Sequence, residues 1–236
     1  MQNNFEQLKV IVFDVNETLL NMRSVKKKVN TLLKTKQGYR IWFGMLLQYA
    51  LVDTVTRSYR DFSVIAGATL HMAAHALGTA ITKEEEQGVL SAMKELKPYK
   101  DVEKGFERLA QAGYRLVAFT NSPLATVQYQ MQSSGLDRYF ETILSVDEFR
   151  HYKPDNEVYA KAMAKVGVSP QHAMMVAAHG WDIAGALKAG MQAAFIQRKG
   201  QSLYPLAPSP HLIAKNIKAF ANQLIGAGEG VVENEK

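Results

Sequence analysis

Charged and hydrogen-bonding side chains follow four apolar, strand-like runs of the chain. In chain order these side chains are Asp14 with Thr18, Thr120 with Asn121, Lys153, and His179 with Asp182. Each of them alone is explained by turn or helix-cap chemistry, since Asp, Asn, Ser and Thr commonly begin turns and helices. Together they bring two carboxylates, an ammonium group, hydroxyls and an amide to successive strand ends. This combination favours a reactive site around Asp14 over a set of unrelated turns.

The apolar runs predict the strands that position these groups. They cover residues 10–13, 115–120, 142–146, 173–178 and 193–197. Their apolar residues are consecutive rather than alternating, which is typical of parallel strands that are buried on both faces. In an open parallel sheet, ligands bind beyond the carboxyl ends of the strands. The polar groups are therefore expected at the binding edge of the sheet.

Helical stretches precede three of these strands, and each stretch ends at a glycine. They are FERLAQAG ending at Gly113, EVYAKAMAKVG ending at Gly167 and WDIAGALKAG ending at Gly190. Glycine is favoured just beyond a helix because it adopts a left-handed conformation easily. The repeated order of helix, glycine and strand predicts an α/β fold with a doubly wound parallel sheet.

The stretch between the first two strands breaks this order because it is helical throughout. Its predicted helices cover residues 24–36, 39–57, 61–78 and 82–95, and the last begins at Thr82 with acidic residues in its first turn. We predict a small helical cap domain of residues 21–98, inserted into an α/β core domain of residues 1–20 and 99–236. Because the insertion leaves from the binding edge, it is expected to cover the site like a lid.

Composition limits the classes of protein to which the chain can belong. Its 236 residues are 47% hydrophobic and 21% charged, and no apolar run approaches the ~20 residues of a membrane span. Without cysteine, the chain has no disulfides and no thiolate metal site. The stretch MQNNFEQLKV lacks the features of a secretory signal, so a cytoplasmic location is expected. The glycine-rich, acidic tail from residue 226 is expected to fray.

The net charge of +6 indicates affinity for an anion. The basic residues are scattered, and the one tight run, Lys26 to Lys28, has no aromatic platform or glycine-rich nucleic-acid signature beside it. Such a run is typical of a solvated helix face. The expected partner is therefore a small anionic substrate, with no nucleic acid and no membrane.

Four motifs of the chain resemble those of the haloacid dehalogenase superfamily. They are FDVNETLL, AFTNS, the lysine of YKPDNEVY, and VAAHGWDIAGA. The resemblance covers nearly the whole chain and includes a small helical cap after the first motif. Within the superfamily, KPDNEVY and WDIAGA look most like the type II branch, the L-2-haloacid dehalogenases. The resemblance implies a hydrolase, and a homodimer is expected only by analogy with this family.

The resemblance also implies a nucleophilic role for Asp14. Its carboxylate would displace halide from a short 2-halo acid and form an aspartyl ester, which water would hydrolyse to the 2-hydroxy acid. Lys153 would keep Asp14 ionised, and Asp182 would either orient Lys153 or activate the water. Thr18 and Asn121 would donate hydrogen bonds to the nucleophile, the substrate or the ester oxygen. No cofactor and no metal are expected for this reaction.

Further positions are candidates for substrate binding. They are Thr120, Asn121, Arg40, Trp42, Phe43, Tyr159 and His179. Phe43 stands where the branch has a cap arginine, and Arg40, one turn earlier, is a possible replacement. Trp42 and Phe43 either line an apolar halide cradle or belong to the cap core. Tyr159 either bonds within the site or is a buried helix tyrosine, and His179, where the family often has asparagine, is a hydrogen-bond donor that can titrate.

A phosphatase of the same superfamily is the main alternative. Such enzymes usually have a second aspartate two residues after the nucleophile, whereas this chain has Asn16, which cannot act as a general acid. They also hold magnesium, usually with more than one acid in the last motif, and VAAHGWDI offers only Asp182. Magnesium would be needed under this alternative alone. A non-catalytic binding domain is the third hypothesis, against which the retained charges at Asp14, Lys153 and Asp182 argue.

Overall fold

Six parallel strands form the central sheet of the computed structural model, which describes residue 5 and residues 7–232. In spatial order the strands are β5 (Thr142–Ser145), β4 (Arg115–Thr120), β1 (Val10–Phe13), β6 (Ala173–Ala177), β7 (Gln192–Ile196) and β8 (Leu212–Ala214). A separate antiparallel pair consists of β2 (Leu20–Asn21) and β3 (Lys97–Pro98). The sheet confirms the predicted parallel α/β fold and places β1 between β4 and β6.

Helices flank the sheet and cover both of its faces, and they are α5 (Val102–Gln111), α6 (Leu124–Ser134), α7 (Asn156–Val166), α8 (Gly180–Lys188) and α9 (Ile217–Val232). Four further helices, α1 (Arg23–Leu32), α2 (Gly38–Val55), α3 (Phe62–Ala76) and α4 (Lys83–Lys94), pack mainly on one another. All residues of β1 and β6 are buried, as their unbroken apolar runs predict, since successive strand residues point to opposite faces. Phe13 packs edge-to-face against Phe106 of α5 and Phe220 of α9, with ring centroids 4.9 and 6.2 Å apart.

The predicted helix ends at glycines are confirmed. Gly113, Gly167 and Gly190 all adopt positive φ, between 72° and 81°. Gly167 directly caps α7 in the left-handed conformation, so the chain can turn back toward the sheet at no steric cost. The order of helix, glycine and strand therefore sets the path of the chain as expected.

The strand bounds differ from the predicted ones by about one residue. β5 stops at Ser145 because the side chain of Ser145 caps a short 3-10 helix that begins at Val146. β6 stops at Ala177 because the next backbone N–H, that of Ala178, donates to Thr18 rather than to a neighbouring strand. Helices α6 and α9 and strands β2, β3 and β8 were not predicted, and the three strands have only two or three residues each.

The helices α1 to α4, here called the cap helices, lie between β1 and β4 in the chain as predicted, although each ends earlier than expected. Thr82 begins α4 with a complete capping box, in which it exchanges hydrogen bonds with Glu85. Trp42 is fully buried and donates from Nε1 to the carbonyl of Ala66, 2.9 Å away, which joins α2 to α3. The division into a core and a cap domain at residues 21–98 stays a prediction.

Hydrogen bonds join the cap helices to the loop after β5. The backbone N–H of Tyr152 donates to Thr54 Oγ1 at 3.0 Å, and the hydroxyl of Tyr152 donates to the carbonyl of Arg60. The hydroxyl of Tyr59 donates to Asp147 in the same loop. These contacts hold the end of α2 and the start of α3 over the carboxyl edge of the sheet.

The structure describes the two ends of the chain only in part. Helix α9 continues through Val232, so the glycine-rich stretch from residue 226 up to that point is helical, and residues 233–236 lie outside the described part. Residues 1–4 and 6 of the N-terminal stretch lie outside it as well. Within the described residues, no helix has both the length and the apolar character needed to cross a membrane.

Candidate active site

Lys153 lies between the two carboxylates that follow β1 and β6. Its Nζ is 3.1 Å from Asp14 Oδ1 and 2.6 Å from Asp182 Oδ2, and it also donates to the carbonyl of Phe119 at 3.0 Å. The side chains of Lys153 and Asp182 are fully buried, and that of Asp14 is 7% exposed. The three charged groups that the sequence places far apart are therefore in direct contact at one edge of the sheet.

The contacts set the charge states of this cluster. Burial opposes the charged form of Asp14, but Lys153, followed by His179 and Thr18, outweighs it and holds the pKa of Asp14 well below its usual value. Burial likewise opposes the charged form of Lys153, and the attraction of Asp14 and Asp182 raises its pKa. The pKa of Asp182 is raised, mainly by burial, against the opposing effect of Lys153. Asp14 is thus a desolvated but ionised carboxylate.

The second oxygen of Asp14 accepts two hydrogen bonds. Thr18 Oγ1 donates to Asp14 Oδ2 at 2.7 Å, and Nδ1 of His179 lies 3.1 Å from the same oxygen. The backbone N–H of Ala178 donates to Thr18 Oγ1 at 2.9 Å, which directs the single hydroxyl proton of Thr18 toward Asp14. Arg198 donates to the carbonyl of Thr18 and so fixes the loop that carries it.

His179 contacts a second carboxylate through its other ring nitrogen. Nε2 of His179 lies 3.1 Å from Glu17 Oε2, and the ring is 5% exposed. Burial opposes the charged form of the ring, yet the hydrogen bonds to Asp14 and Glu17 raise its pKa to about 9. At neutral pH, His179 is therefore an imidazolium that adds a second cation beside Asp14.

Asp182 and Tyr159 form a fully buried pair behind Lys153. The hydroxyl of Tyr159 donates to Asp182 Oδ1 at 2.6 Å, so both carboxylate oxygens of Asp182 are occupied. Gly185, one turn further along α8, permits this approach, because a Cβ atom there would lie 2.7 Å from the Tyr159 hydroxyl and 2.5 Å from Pro154 Cβ. Asp182 thus orients Lys153, and because it is fully buried and is not among the residues that line the cavity beside Asp14, it does not face water there.

A small cavity opens beside Asp14 under the cap helices. It is lined by Asp14, Asn16, Phe43, Leu47, Phe62, Thr120, Asn121, Ser122, His179 and Trp181. Its volume is about 20 Å³, which holds one or two water molecules. The predicted residues Asp14, Phe43, Thr120, Asn121 and His179 are all brought together here. Entry of a substrate requires the cap helices or their side chains to move.

Three predicted substrate-binding residues, Arg40, Trp42 and Tyr159, do not reach the cavity, and Tyr159 bonds to Asp182 instead. Trp42 instead belongs to the cap core, because its position on α2 turns the indole toward α3, where it bonds to Ala66. Arg40 is exposed and is not among the lining residues, so it does not replace the missing cap arginine in this arrangement. A guanidinium without an anionic partner is strongly disfavoured in a buried position, which explains why it faces solvent.

The amide and hydroxyl groups after β4 have structural partners. Asn121 Oδ1 accepts from the backbone N–H of Lys153 at 3.0 Å, and Asn121 Nδ2 donates to the carbonyl of Lys153 at 3.3 Å. Thr120 Oγ1 accepts from the N–H of Ser122, and Ser122 Oγ accepts from Asn16 Nδ2 at 2.9 Å. Asn121 therefore fixes the backbone of Lys153 as well as lining the cavity.

Sequence reasoning missed several residues around the site, including Leu47, Ser122 and Trp181 of the cavity wall. Glu17 lies within the first motif but has no polar pattern that distinguishes it, Phe62 comes from the start of α3, and Gln201 donates to Glu17 Oε2 at 2.8 Å from a loop after β7. No spacing in the sequence links Gln201 to Glu17, because 184 positions separate them. Only the fold brings these residues to the site.

The carboxylates of the site are not jointly available to a divalent cation. Asp14 Oδ1 and Asp182 Oδ2 both accept from Nζ of Lys153, so an ammonium group stands where such an ion would have to bind. Among the described residues, the one group of three or more metal-ligating side chains is His151, Asp155 and Glu157, which lies at the start of α7 and outside the cavity.

The sequence of the chain is similar to those of known hydrolases. The sequence model of a family described as haloacid dehalogenase-like hydrolase matches residues 8–190. The chain belongs to this family. The chain is 30% identical over 229 residues to (S)-2-haloacid dehalogenase 4A of Burkholderia cepacia, covering 92% of this chain and 99% of the relative. It is 24% identical to the (S)-2-haloacid dehalogenase of Pseudomonas putida, covering 92% and 96%.

Solved structures of haloacid dehalogenase-like hydrolases have the same fold. A dehalogenase solved as an intermediate complex has a TM-score of 0.84 and 27% identity, covering 92% of this chain and 97% of that one. The L-2-haloacid dehalogenase of Xanthobacter autotrophicus with covalently bound chloropropionic acid also has a TM-score of 0.84, with 21% identity, covering 93% and 99%. At 21% identity, the similarity to the Xanthobacter structure shows a shared fold and nothing further. The chain is thus a hydrolase of this family over nearly its full length.

Proposed function

We propose that this hydrolase converts short (S)-2-halocarboxylates into 2-hydroxy acids through an ester on Asp14, without a metal or other cofactor. The observation that carries the proposal is the ionised, desolvated carboxylate of Asp14, which Lys153 holds at the wall of a small, largely apolar cavity. A carboxylate is a weak nucleophile in water and a better one when it is desolvated and held in line with the carbon it attacks. The names of the relatives support this choice of substrate class.

The first step uses Oδ1 of Asp14. Among the described residues, Lys153 is the one donor to this oxygen, whereas Oδ2 accepts from both Thr18 and His179, so Oδ1 keeps a lone pair for attack. A bond forms between Oδ1 and the halogen-bearing carbon, and the carbon–halogen bond breaks, with its electron pair leaving on the halide. Inversion at that carbon is expected from in-line displacement.

The second step regenerates the carboxylate. Water adds to Cγ of Asp14, the bond between Cγ and Oδ1 breaks, and Oδ1 leaves as the hydroxyl oxygen of the product. One proton of the water is transferred to Oδ1, and the other is released to solvent when Asp14 ionises again. Lys153, 3.1 Å from Oδ1, stabilises the leaving oxygen.

The cavity wall supplies the groups that would hold a small 2-halo acid. Phe43 and Phe62 are apolar neighbours for the halogen or the alkyl group, and Ser122 and Asn121 offer polar atoms for the substrate carboxylate. Nε1 of Trp181, a residue that lines the cavity, is buried without an acceptor among the described residues, and it is a further donor for a bound anion. The predicted homodimer and cytoplasmic location have no bearing on this chemistry.

A two-part assay tests the proposed reaction. In excess chelator, the purified protein is expected to release halide from L-2-chloropropionate or chloroacetate, with D-2-chloropropionate as the stereochemical control. Asp14→Asn is expected to lower halide release at least about 10³-fold, because the carboxamide is a far poorer nucleophile. The second part measures phosphate release from an aryl phosphate with magnesium. Phosphate without halide, or full halide release by Asp14→Asn, contradicts the proposal.

A further inference from the structure

We propose that His179, held by Glu17, acts as a charged oxyanion donor during hydrolysis of the Asp14 ester. This inference rests on the proposed function and assigns its second step to a specific pair of residues. Glu17 is a positioning residue in this scheme, since it acts through His179 and does not line the cavity. Lys153 contacts one oxygen of Asp14, and Thr18 and His179 contact the other.

The donors divide between the two oxygens of Asp14. If Oδ1 attacks the substrate, Oδ2 becomes the carbonyl oxygen of the ester. Water addition to Cγ then places the negative charge of the tetrahedral intermediate on Oδ2. Nδ1 of His179 lies 3.1 Å and Thr18 Oγ1 2.7 Å from this oxygen, which is the distance range of oxyanion-hole donors.

The contacts of the ring require a doubly protonated imidazole. A neutral imidazole has one N–H, so it could satisfy only one of the two carboxylates that face its two nitrogens. The titratable groups that face His179 are Asp14, at the end of β1, and Glu17, in the loop after it. The cap helices contribute the Phe43 ring, and α8 contributes the Trp181 ring, both stacked on the imidazole without charge.

The backbone at Glu17 is held in an unusual conformation. Its φ is 60°, in the left-handed region that favours glycine, so a non-glycine residue there is strained. The conformation brings the carboxylate to His179. Tyr39 of α2 donates to Oε1 at 3.0 Å and Gln201 donates to Oε2 at 2.8 Å, so Glu17 is anchored from the cap helices and from the loop after β7.

The charge on His179 has opposite effects on the two steps. In the first step Asp14 loses its negative charge, so a cation at Oδ2 stabilises the reactant more than the transition state. In the second step Oδ2 gains negative charge, so the same cation stabilises the transition state. Removing the charge is therefore expected to slow ester hydrolysis while leaving ester formation unchanged or faster. A residue with a merely structural role would slow both steps.

Rapid-quench kinetics with L-2-chloropropionate separates the two steps. Halide measures ester formation, and the mass of the intact protein measures the ester on Asp14. For His179→Asn and Glu17→Gln, we expect ester hydrolysis to slow about 10- to 100-fold, with a halide burst of nearly one equivalent and an accumulated ester. His71→Asn is the matched control, because His71 also pairs with a glutamate, Glu86, but outside the site. It is expected to behave as wild type.

The pH dependence of ester hydrolysis distinguishes a donor from a base. A cationic donor predicts that the rate constant falls as His179 loses its proton with rising pH, and that His179→Asn lacks this limb. If the rate constant instead rises with pH as His179 loses its proton, His179 would be a general base, and the inference would be overturned. Equal slowing of both steps, or undisturbed variants, would also overturn it while halide release stands. No halide from the wild-type protein would instead overturn the proposed function and this inference with it.

A further variant separates the carboxylate of Glu17 from its backbone. Glu17→Gly keeps the left-handed turn, which glycine adopts without strain, and removes the partner of His179. Relief of the backbone strain offsets part of the stability that is lost with the carboxylate, so the variant is expected to stay folded at the assay temperature, while the ester accumulates as in Glu17→Gln. Retained ester hydrolysis in a folded Glu17→Gly protein would contradict the role of the pair.

Discussion

At the scale of single residues, negatively and positively charged side chains alternate in the buried site. Lys153 stands between Asp14 and Asp182, and His179 stands between Asp14 and Glu17. Each anion is stabilised by a cation in contact, which offsets the cost of removing both from water. Removal of one partner would leave a buried charge without compensation, so the network fixes the charge states on which the proposed chemistry depends.

The free energy of unfolding is expected to report the charge on His179. Its pKa is raised to about 9 from 6.5, so its stabilising contribution is fully present below about pH 6.5 and is lost as the pH rises through about 9. The contribution is expected to be a few kcal/mol, since each pKa unit corresponds to about 1.4 kcal/mol. Denaturant titrations of wild type and His179→Asn between pH 6 and 10 measure it. A stability difference that does not change with pH would contradict the assigned charge.

At the scale of elements, the close approach of α8 to the loop after β5 positions the buried pair of Asp182 and Tyr159. The approach depends on Gly185, where any side chain would meet Pro154 and Tyr159. Tyr159 is fully buried in the core and Pro154 Cβ belongs to a rigid ring, so neither group can move aside easily. Helix α8 therefore sets the distance from Asp182 to Lys153.

Gly185→Ala is expected to displace α8 and weaken the site. The added Cβ atom would lie 2.5 Å from Pro154 Cβ, so the free energy of unfolding should fall by about 1–3 kcal/mol and kcat should fall with it. Gly226→Ala in α9, where a Cβ atom meets nothing within 4 Å, is the matched control and should not lower either quantity. Urea unfolding and halide-release assays of both variants check this. Equal behaviour of the two variants would rule out the packing argument.

At the scale of the whole molecule, a second and larger cavity lies beside the site between the cap helices and α6. Its volume is about 460 Å³, against about 20 Å³ for the cavity at Asp14. Phe62 and Ser122 line both cavities, so they form the partition between them. Of these two residues, Phe62 belongs to the cap helices, because it is the first residue of α3.

Truncation of Phe62 is expected to change the length of substrate that the enzyme accepts. Phe62→Ala would join the two cavities, so kcat/KM for 2-bromohexanoate should rise relative to that for 2-chloropropionate, by about tenfold, since each added methylene contributes up to about 1 kcal/mol when buried. Leu90→Ala, which enlarges the outer cavity without opening the partition, is the control. An unchanged ratio of the two kcat/KM values would show that the partition lies elsewhere.

The sequence determined the fold class and the groups that meet at the sheet edge. Unbroken apolar runs require strands buried on both faces, and a parallel sheet aligns their carboxyl ends, so Asp14, Thr120 and the segment of Asp182 had to converge. Helix starts and ends such as Thr82 and Gly167 were equally readable, because capping and left-handed turns depend on local residue types.

Tertiary structure alone decided which side chains face the reacting carboxylate. Helical spacing in α2 is compatible with either Arg40, Trp42 or Phe43 at the cavity, and only packing against α3 turned Trp42 inward and left Phe43 at the site. The contact of Glu17 with His179 and Gln201 joins positions more than 160 residues apart through an uncommon backbone conformation. Such contacts depend on the sum of many packing choices, so no local pattern in the sequence records them.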